Sequence, residues 1–273
     1  MPNNFFTNDA QPILPDEHGD LILDPLRANS VALNPAVSTT VTTAGRSFTI
    51  PIVAEDAAAS WTREGEEIAP SSPVLREIEI IPPKVAGLVP VSREVARDSS
   101  PAARAVVGES LAASITAQVD AAFLGAVAAP APQGLGTITP TVLTAPLDSL
   151  DPLLDAKAAS AAVGGTPTAV IIHPDDALAL YKVRESTGSN RGLVGETNTA
   201  AGLPLIVSRH AKAGSIFVVD ATKIFVVVRE DIVVETSDDV YFSSDRTAVK
   251  AVMRVGFGFV NEAANVRIDV EAA

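Results

Sequence analysis

Apolar residues recur at every fourth position between Ser100 and Val127, which is the spacing of one face of an α-helix. Ser100 can cap the first turn, and Pro101 suits the first helical position. The segment Ala-Pro-Ala-Pro-Gln-Gly at 129–134 cannot continue a helix. The sequence therefore predicts one long helix that ends at Gly125 or soon after, with an apolar stripe formed by Val107, Leu111, Ile115, Val119 and Phe123.

A β-hairpin is predicted upstream of this helix. Residues 47–53 and 74–80 alternate between apolar and polar positions, and the segment 54–72 between them is polar and acidic. Neither run is apolar enough to bury a full face within its own chain. We therefore expect a protruding hairpin that requires a partner, with Trp61 near its tip or on its far limb.

The first 45 residues and the second half of the chain differ in pattern. Residues 1–45 contain only short apolar pieces and predict either an extended arm that needs another surface or a disordered tail. After residue 135, helices at 147–162 and from Pro174 alternate with short strands, including separate strands at 223–228 and 232–235. The Gly-rich segment 184–202 predicts a mobile loop. The pattern is that of an α+β protein.

Composition excludes several classes of protein. The chain has 273 residues, 47% of them hydrophobic, so it can bury a core. It has no cysteine, which excludes disulfide scaffolds and cysteine-ligated metals and fits a reducing cytoplasm. The net charge of −13 argues against a protein that binds nucleic acid through phosphates. No secretory signal or membrane-spanning run is present, so we expect no membrane partner.

No motif indicates catalysis, and we expect no catalytic residue, cofactor or metal. Phosphate-binding loops, dinucleotide fingerprints and hydrolase motifs are absent from the sequence. His173, Asp175 and Asp176 have ligand-type side chains, but the start of a helix at Pro174 explains the same residues. The glycines at 134, 136, 256 and 258 are typical of turns and close packing rather than of phosphate sites.

Several short motifs resemble, in order and spacing, the major capsid protein family of tailed phages. They are Trp61–Glu66, Pro83–Ala86, Val91–Glu94, Asp98-Ser99, Asp120–Gly125, Pro132–Leu135, Val170–Pro174, Gly202–Leu205, Asp245–Thr247, Met253-Arg254 and Gly256-Phe257. The resemblance covers most of residues 46–273. It implies an α+β Hong Kong-97-type capsid fold with an N-terminal arm (1–45), an extended β-hairpin loop (46–88), a peripheral domain with a spine helix (89–134), an axial domain (135–232) and a return to the peripheral sheet with a final strand (233–273).

The function implied is that of a major capsid (head) protein of a tailed double-stranded DNA phage. Such a subunit assembles in the bacterial host cytoplasm as pentamers and hexamers into an icosahedral shell, which becomes part of the virion. Its partners would be its own copies and separate scaffolding, portal and decoration proteins. The packaged DNA would be enclosed without sequence-specific binding, which suits an acidic wall. Two alternatives remain open, namely an encapsulin-like nanocompartment shell and an α+β enzyme with no recognisable motif.

The resemblance also implies where subunits touch. In the family the hairpin lies over the neighbour's peripheral domain, so Trp61 and the carboxylates of Glu64, Glu66 and Glu67 are candidate contact groups. Arg93 and Arg97, four residues apart on one helical face, are their expected partners across the boundary. Some family members join subunits through a lysine in the hairpin. Residues 50–82 contain no lysine, so we expect no such cross-link.

Overall fold

The computed structural model describes residues 30–92, 102–184, 186, 191–194 and 198–271. The described part contains three α-helices, which are α1 (Ala102–Leu124), α2 (Asp151–Ala162) and α3 (Pro174–Lys182). Its strands, in chain order, are β1 (Thr39–Thr42), β2 (Phe48–Glu55), β3 (Val74–Ile80), β4 (Lys84–Ser92), β5 (Thr141–Ala145), β6 (Ala169–Ile172), β7 (Thr199–Ala200), β8 (Leu203–Val207), β9 (Ser215–Val219), β10 (Ile224–Tyr241), β11 (Arg246–Phe259) and β12 (Val266–Val270).

The predicted long helix is α1, and it packs on a four-stranded sheet in the order β1-β10-β11-β4. The predicted stripe faces this sheet, with Leu111, Ile115, Val119 and Phe123 buried. The Phe123 ring meets the Phe257 ring edge-on, with centroids 5.2 Å apart. The helix capping predicted at Ser100 and Pro101 lies outside the described residues.

The predicted hairpin is the antiparallel pair β2-β3, in which Phe48 is opposite Ile80. Its base packs on the face of β11 that points away from α1. Ile80 is buried there because Gly256 and Gly258 have no side chains, and a Cβ at Gly258 would lie 2.2 Å from the Ile80 Cδ1. These glycines are therefore close-packing positions, as the sequence predicted.

A six-stranded sheet in the order β5-β12-β9-β6-β8-β7 forms the second core, together with α2 and α3. The last strand, β12, pairs in parallel with β5 and antiparallel with β9. The segment expected at 233–273 is thus divided, with β11 in one sheet and β12 in the other. Of the predicted loop 184–202, residues 184, 186, 191–194 and 198–202 are described. Within them, Arg184 bridges Gly192, and β7 pairs with β8.

The prediction of two short strands at 223–228 and 232–235 is wrong, because β10 is one strand of 18 residues. The charged residues between the two apolar runs suggested a break. The register instead shifts around Glu230, which places this carboxylate beside Arg254 on β11, with 3.2 Å between Arg254 Nε and Glu230 Oε2. A bulge therefore carries the charged residues without ending the strand.

The described part of the expected arm packs against its own chain. Val31, Ala32 and Val37 are buried, and β1 pairs in parallel with β10. Asp120 on α1 fixes this segment, because its carboxylate accepts hydrogen bonds from Ser30 Oγ (2.7 Å) and from the backbone N–H groups of Val31 (3.1 Å) and Ala32 (3.0 Å). Residues 30–42 thus have a partner within the chain, and the rest of the arm lies outside the described residues.

Candidate intersubunit surfaces

Residues 56–73, which form the hairpin tip, are all exposed. The chain turns at Arg63–Glu66, where the Glu66 N–H donates to the Arg63 carbonyl and Gly65 has a φ of 88°. Ser71 Oγ donates to the Ala58 carbonyl at 2.9 Å and joins the two limbs. The tip therefore has a defined turn although it packs on no core.

Large apolar side chains on this hairpin are exposed. Trp61 is fully exposed, Ile68 is 74% exposed and Leu75 is 65% exposed. The base contrasts with them, since Ile50 and Ile80 are buried in a small cluster with Val227. Large exposed apolar side chains on an element that packs on no core make the hairpin a candidate interaction surface. The hairpin is thus buried at its base, whereas the large apolar side chains at its tip are exposed.

The four candidate contact groups of the hairpin lie together at this tip. Glu64, Glu66 and Glu67 are exposed within six residues of Trp61. Arg93 and Arg97 lie outside the described residues, so their pairing with the glutamates stays a prediction. The structure shows the four hairpin groups exposed, and their contact with a neighbouring subunit likewise stays a prediction.

An apolar groove beside the hairpin base was not predicted. It has a volume of about 420 Å³ and lies between the start of β4, the face of α1 and residues 127–132. Lys84 is the charged residue among those lining it. The signal in the sequence was weak, consisting of the Pro83-Lys84 pair and the alternating Ala and Pro residues at 128–132.

The role of Asp120, which fixes residues 30–32 against α1, was also not predicted. It is 4% exposed and sits next to the apolar stripe of α1, where a carboxylate without partners would be costly. Its position directly after Val119, within a run of apolar residues, was the available signal.

Residues that could have supported chemistry have structural roles. The His173 imidazole accepts a hydrogen bond from the Asp175 N–H at 3.2 Å and caps α3, so the helix-start explanation is confirmed. Asp176 Oδ2 accepts from the Gly214 N–H. No cluster of three potential metal ligands occurs in the described part of the chain. Among the same residues, no helix is long and apolar enough to cross a membrane.

Comparisons with known proteins agree with this architecture. The family model "Phage capsid family" matches residues 11–270. No curated protein matches the sequence.

Solved structures match over nearly the whole chain. A subunit described as "Capsid of empty GTA particle computed with C5 symmetry" has a TM-score of 0.74 at 17% identity and covers 100% of both chains. The structure from Microbacterium phage Oxtober96 has a TM-score of 0.74 at 17% identity, covering 98% of this chain and 100% of that chain. The structure from Mycobacterium phage Bobi has a TM-score of 0.72 at 16% identity, covering 99% and 100%.

These likenesses confirm the Hong Kong-97-type fold, to which this chain contributes a hairpin, a helix-backed sheet and a second mixed domain. The family match extends over nearly all of the chain and therefore decides between a shell protein and an enzyme. The chain belongs to the phage capsid family, and it is a structural protein of the virion shell that assembles with copies of itself, not an enzyme.

Proposed function

We propose that this subunit forms the major shell of a tailed double-stranded DNA phage as pentamers and hexamers in an icosahedral arrangement, and that the hairpin fastens each subunit to its neighbour. The observation that carries the proposal is the hairpin itself. Its base is buried in the chain, whereas its tip exposes Trp61 and Ile68 with nothing in the described chain to cover them. A second copy is the partner that a self-assembling subunit always has available.

The proposed domain roles follow from the two cores. The sheet that carries α1 and the hairpin is the peripheral domain, and the six-stranded sheet with α2 and α3 is the axial domain that meets its copies around the symmetry axes. The last strand lies in the axial sheet, so the C-terminal segment ties the two domains together.

A deletion tests the role of the hairpin. We replace residues 54–72 with Asn-Gly, so that Asn-Gly-Pro73-Val74 forms a four-residue loop between the paired residues Val53 and Leu75 and the buried base at Ile50 and Ile80 keeps its register. The variant is expected to fold, with a circular dichroism spectrum and melting temperature close to those of unassembled wild-type subunits, and to form no stable shells. Sedimentation and negative-stain microscopy measure the particles. Normal shells from this variant would show that the hairpin is not a clasp.

The DNA enclosed in the particle distinguishes two candidate functions, the capsid of a phage and the capsid of a GTA particle. The net charge of −13 supports a wall that does not hold phosphates tightly. Two matching structures are described as capsids of GTA particles, so a shell of that kind is the second candidate. Sequencing of nuclease-protected DNA from purified particles is expected to give one phage genome, and any other DNA would favour the second candidate. Separate scaffolding, portal and decoration proteins are the further partners we propose.

A further inference from the structure

We propose that the apolar groove beside Lys84 receives the Trp61 side chain of a neighbouring subunit's hairpin, with the acidic tip facing Lys84. This inference rests on the proposed role of the hairpin as a clasp, and it specifies where the clasp closes. The groove is defined by Pro83, Lys84, Val119, Ala122, Pro130 and Phe257.

The groove has the size and surface of a binding site for an aromatic side chain. Its volume of about 420 Å³ lies in the range of roughly 300–1,000 Å³ that is usual for pockets holding small organic molecules. Its lining is mainly apolar, with Ala, Val, Pro and Phe side chains contributing most of the surface. A groove of this volume and lining suits an indole ring.

The tip offers a matching group. Trp61 is the single tryptophan of the chain and is fully exposed. Tryptophan is enriched among the residues that dominate binding energy, because it buries a large apolar area with few rotatable bonds. No other described element of the same chain covers it.

The charges are complementary as well. Residues 54–72 contain five carboxylates and one arginine, which gives this segment a net charge of −4. Lys84 is exposed and has no ion-pair partner in the described part of the chain. A tip that places Trp61 in the groove would bring Glu64, Glu66 or Glu67 towards this ammonium group.

The groove and tip of one chain cannot meet, which makes the contact intermolecular. Lys84 begins β4 only four residues after Ile80, so the groove lies at the base of the hairpin. The tip lies beyond the seven residues of β3, or more than about 20 Å from that base at about 3.4 Å per residue. Two different patches that join successive copies make a head-to-tail contact, which forms a ring when the rotation between successive copies closes, as in a pentamer or hexamer.

The single tryptophan allows a direct test by fluorescence. In unassembled subunits the exposed Trp61 should emit at the long wavelength typical of indole in water. In wild-type shells the emission should shift to shorter wavelength, because the ring has entered an apolar site. Ala128→Phe fills the groove from its exposed rim, and particles of this variant should retain the long-wavelength emission.

Substitutions measure what the contact contributes. Trp61→Ala should raise the subunit concentration required for assembly by at least about tenfold, whereas Leu178→Ala, which removes an exposed apolar side chain on α3, should leave it unchanged. Lys84→Glu should also weaken assembly, and Glu64→Lys with Glu66→Lys should partly restore it. Restoration by the exchanged charges would be specific to this pairing.

The results separate this inference from the proposed clasp. If deletion of residues 54–72 prevents assembly but Ala128→Phe particles show the full wavelength shift, Trp61 is buried elsewhere and the groove is the wrong site. If Trp61→Ala assembles like the wild type, the groove contact is likewise overturned. If the deletion variant itself assembles normally, the clasp fails and this inference fails with it.

Discussion

The arm and the hairpin tip have a similar sequence pattern, but only the arm packs against its own chain. Both are polar segments with few apolar residues, and both were expected to need another surface. Residues 30–42 find that surface on their own chain, where Val31 and Val37 are buried and β1 pairs with β10. The tip finds none there, and Trp61 and Ile68 remain exposed.

One contribution to this difference comes from a residue on the opposing element. Asp120 offers two carboxylate oxygens to three donors of the arm, so the short segment at Ser30–Ala32 is held by charge-assisted hydrogen bonds in addition to the burial of Val31 and Ala32. Nothing in the described chain offers the tip such a group. A weakly apolar segment thus does not reveal whether its partner lies within the chain or on another copy.

Removing the anchor should give the largest change in subunit stability. Asp120→Ala leaves the buried donors of Ser30, Val31 and Ala32 without an acceptor, and we expect the free energy of unfolding to fall by about 3 kcal/mol. Asp120→Asn keeps one acceptor oxygen and should cost less. Urea unfolding of unassembled subunits measures both changes.

The matched control for this prediction is Glu109→Ala, which removes an exposed carboxylate from the same helix and should change stability by less than about 0.5 kcal/mol. Amide hydrogen exchange at Val31 and Ala32 should become faster in Asp120→Ala. Unchanged protection of these two amides would contradict the role of Asp120 as the anchor of the arm.

The hairpin base gives the next largest effect. A Cβ at residue 258 would lie 2.2 Å from Ile80 Cδ1 and 2.9 Å from Ile80 Cγ1, so Gly258→Ala must displace the hairpin or the isoleucine. We expect a loss of about 1–3 kcal/mol, as for other overpacked cores. Ile80→Val in the same chain removes the methyl group that clashes and should recover part of the loss. No recovery would mean that Ile80 does not fill this site.

Local pattern predicted much of this fold, because periodicity reports which face of an element is buried. The stripe from Val107 to Phe123 placed α1 correctly, and the alternation at 47–53 and 74–80 identified the hairpin. Charge inside a strand misled the prediction at β10. Periodicity treats Glu230 as a break, whereas a bulge pairs it with Arg254 on the adjacent strand.

The candidate site was less predictable, because its parts come from distant stretches of sequence. The exposed Trp61 could be singled out as the sole tryptophan in an acidic segment. The groove could not, since it forms only when the start of β4, the end of α1 and the segment 127–132 come together. Asp120 likewise acquires its role from residues about ninety positions away.

A smaller effect is expected from charge reversal at the predicted arginine pair. As an alternative to the Lys84 contact, Arg93 and Arg97 are proposed to face Glu64, Glu66 and Glu67 of a neighbour. The two pairings compete, because eight residues of β4, or about 27 Å, separate Lys84 from Ser92. Exposed ion pairs contribute only about 0–1 kcal/mol each. A shell repeats each contact many times, so Arg93→Glu with Arg97→Glu should still weaken assembly, most strongly at low salt. Light scattering at several salt concentrations measures this. An assembly curve equal to that of the wild type at every salt concentration would refute the pairing.

The smallest expected effect concerns covalent cross-linking, where we predict none. An isopeptide bond between subunits requires a neutral lysine amine that attacks an asparagine side chain with loss of ammonia, assisted by a carboxylate base. The hairpin residues 50–82 contain Arg63 and Arg76 but no lysine, and a guanidinium stays protonated in proteins. The first lysine of the chain is Lys84, at the base of the hairpin rather than at its tip.

The late residues that offer an acceptor and a base are already engaged in structural hydrogen bonds. Asn261 Nδ2 donates to the Val163 carbonyl at 3.1 Å, and its Oδ1 accepts from the Ala264 N–H at 3.3 Å. Glu262 Oε2 accepts from the Thr139 N–H at 2.8 Å.

Denatured particles should therefore run on a gel as one band near 28.2 kDa. A denaturant-resistant ladder that disappears in Lys84→Arg would instead show that Lys84 supplies the amine. Its place at the rim of the groove would then mark a covalent closure of the contact proposed for Trp61.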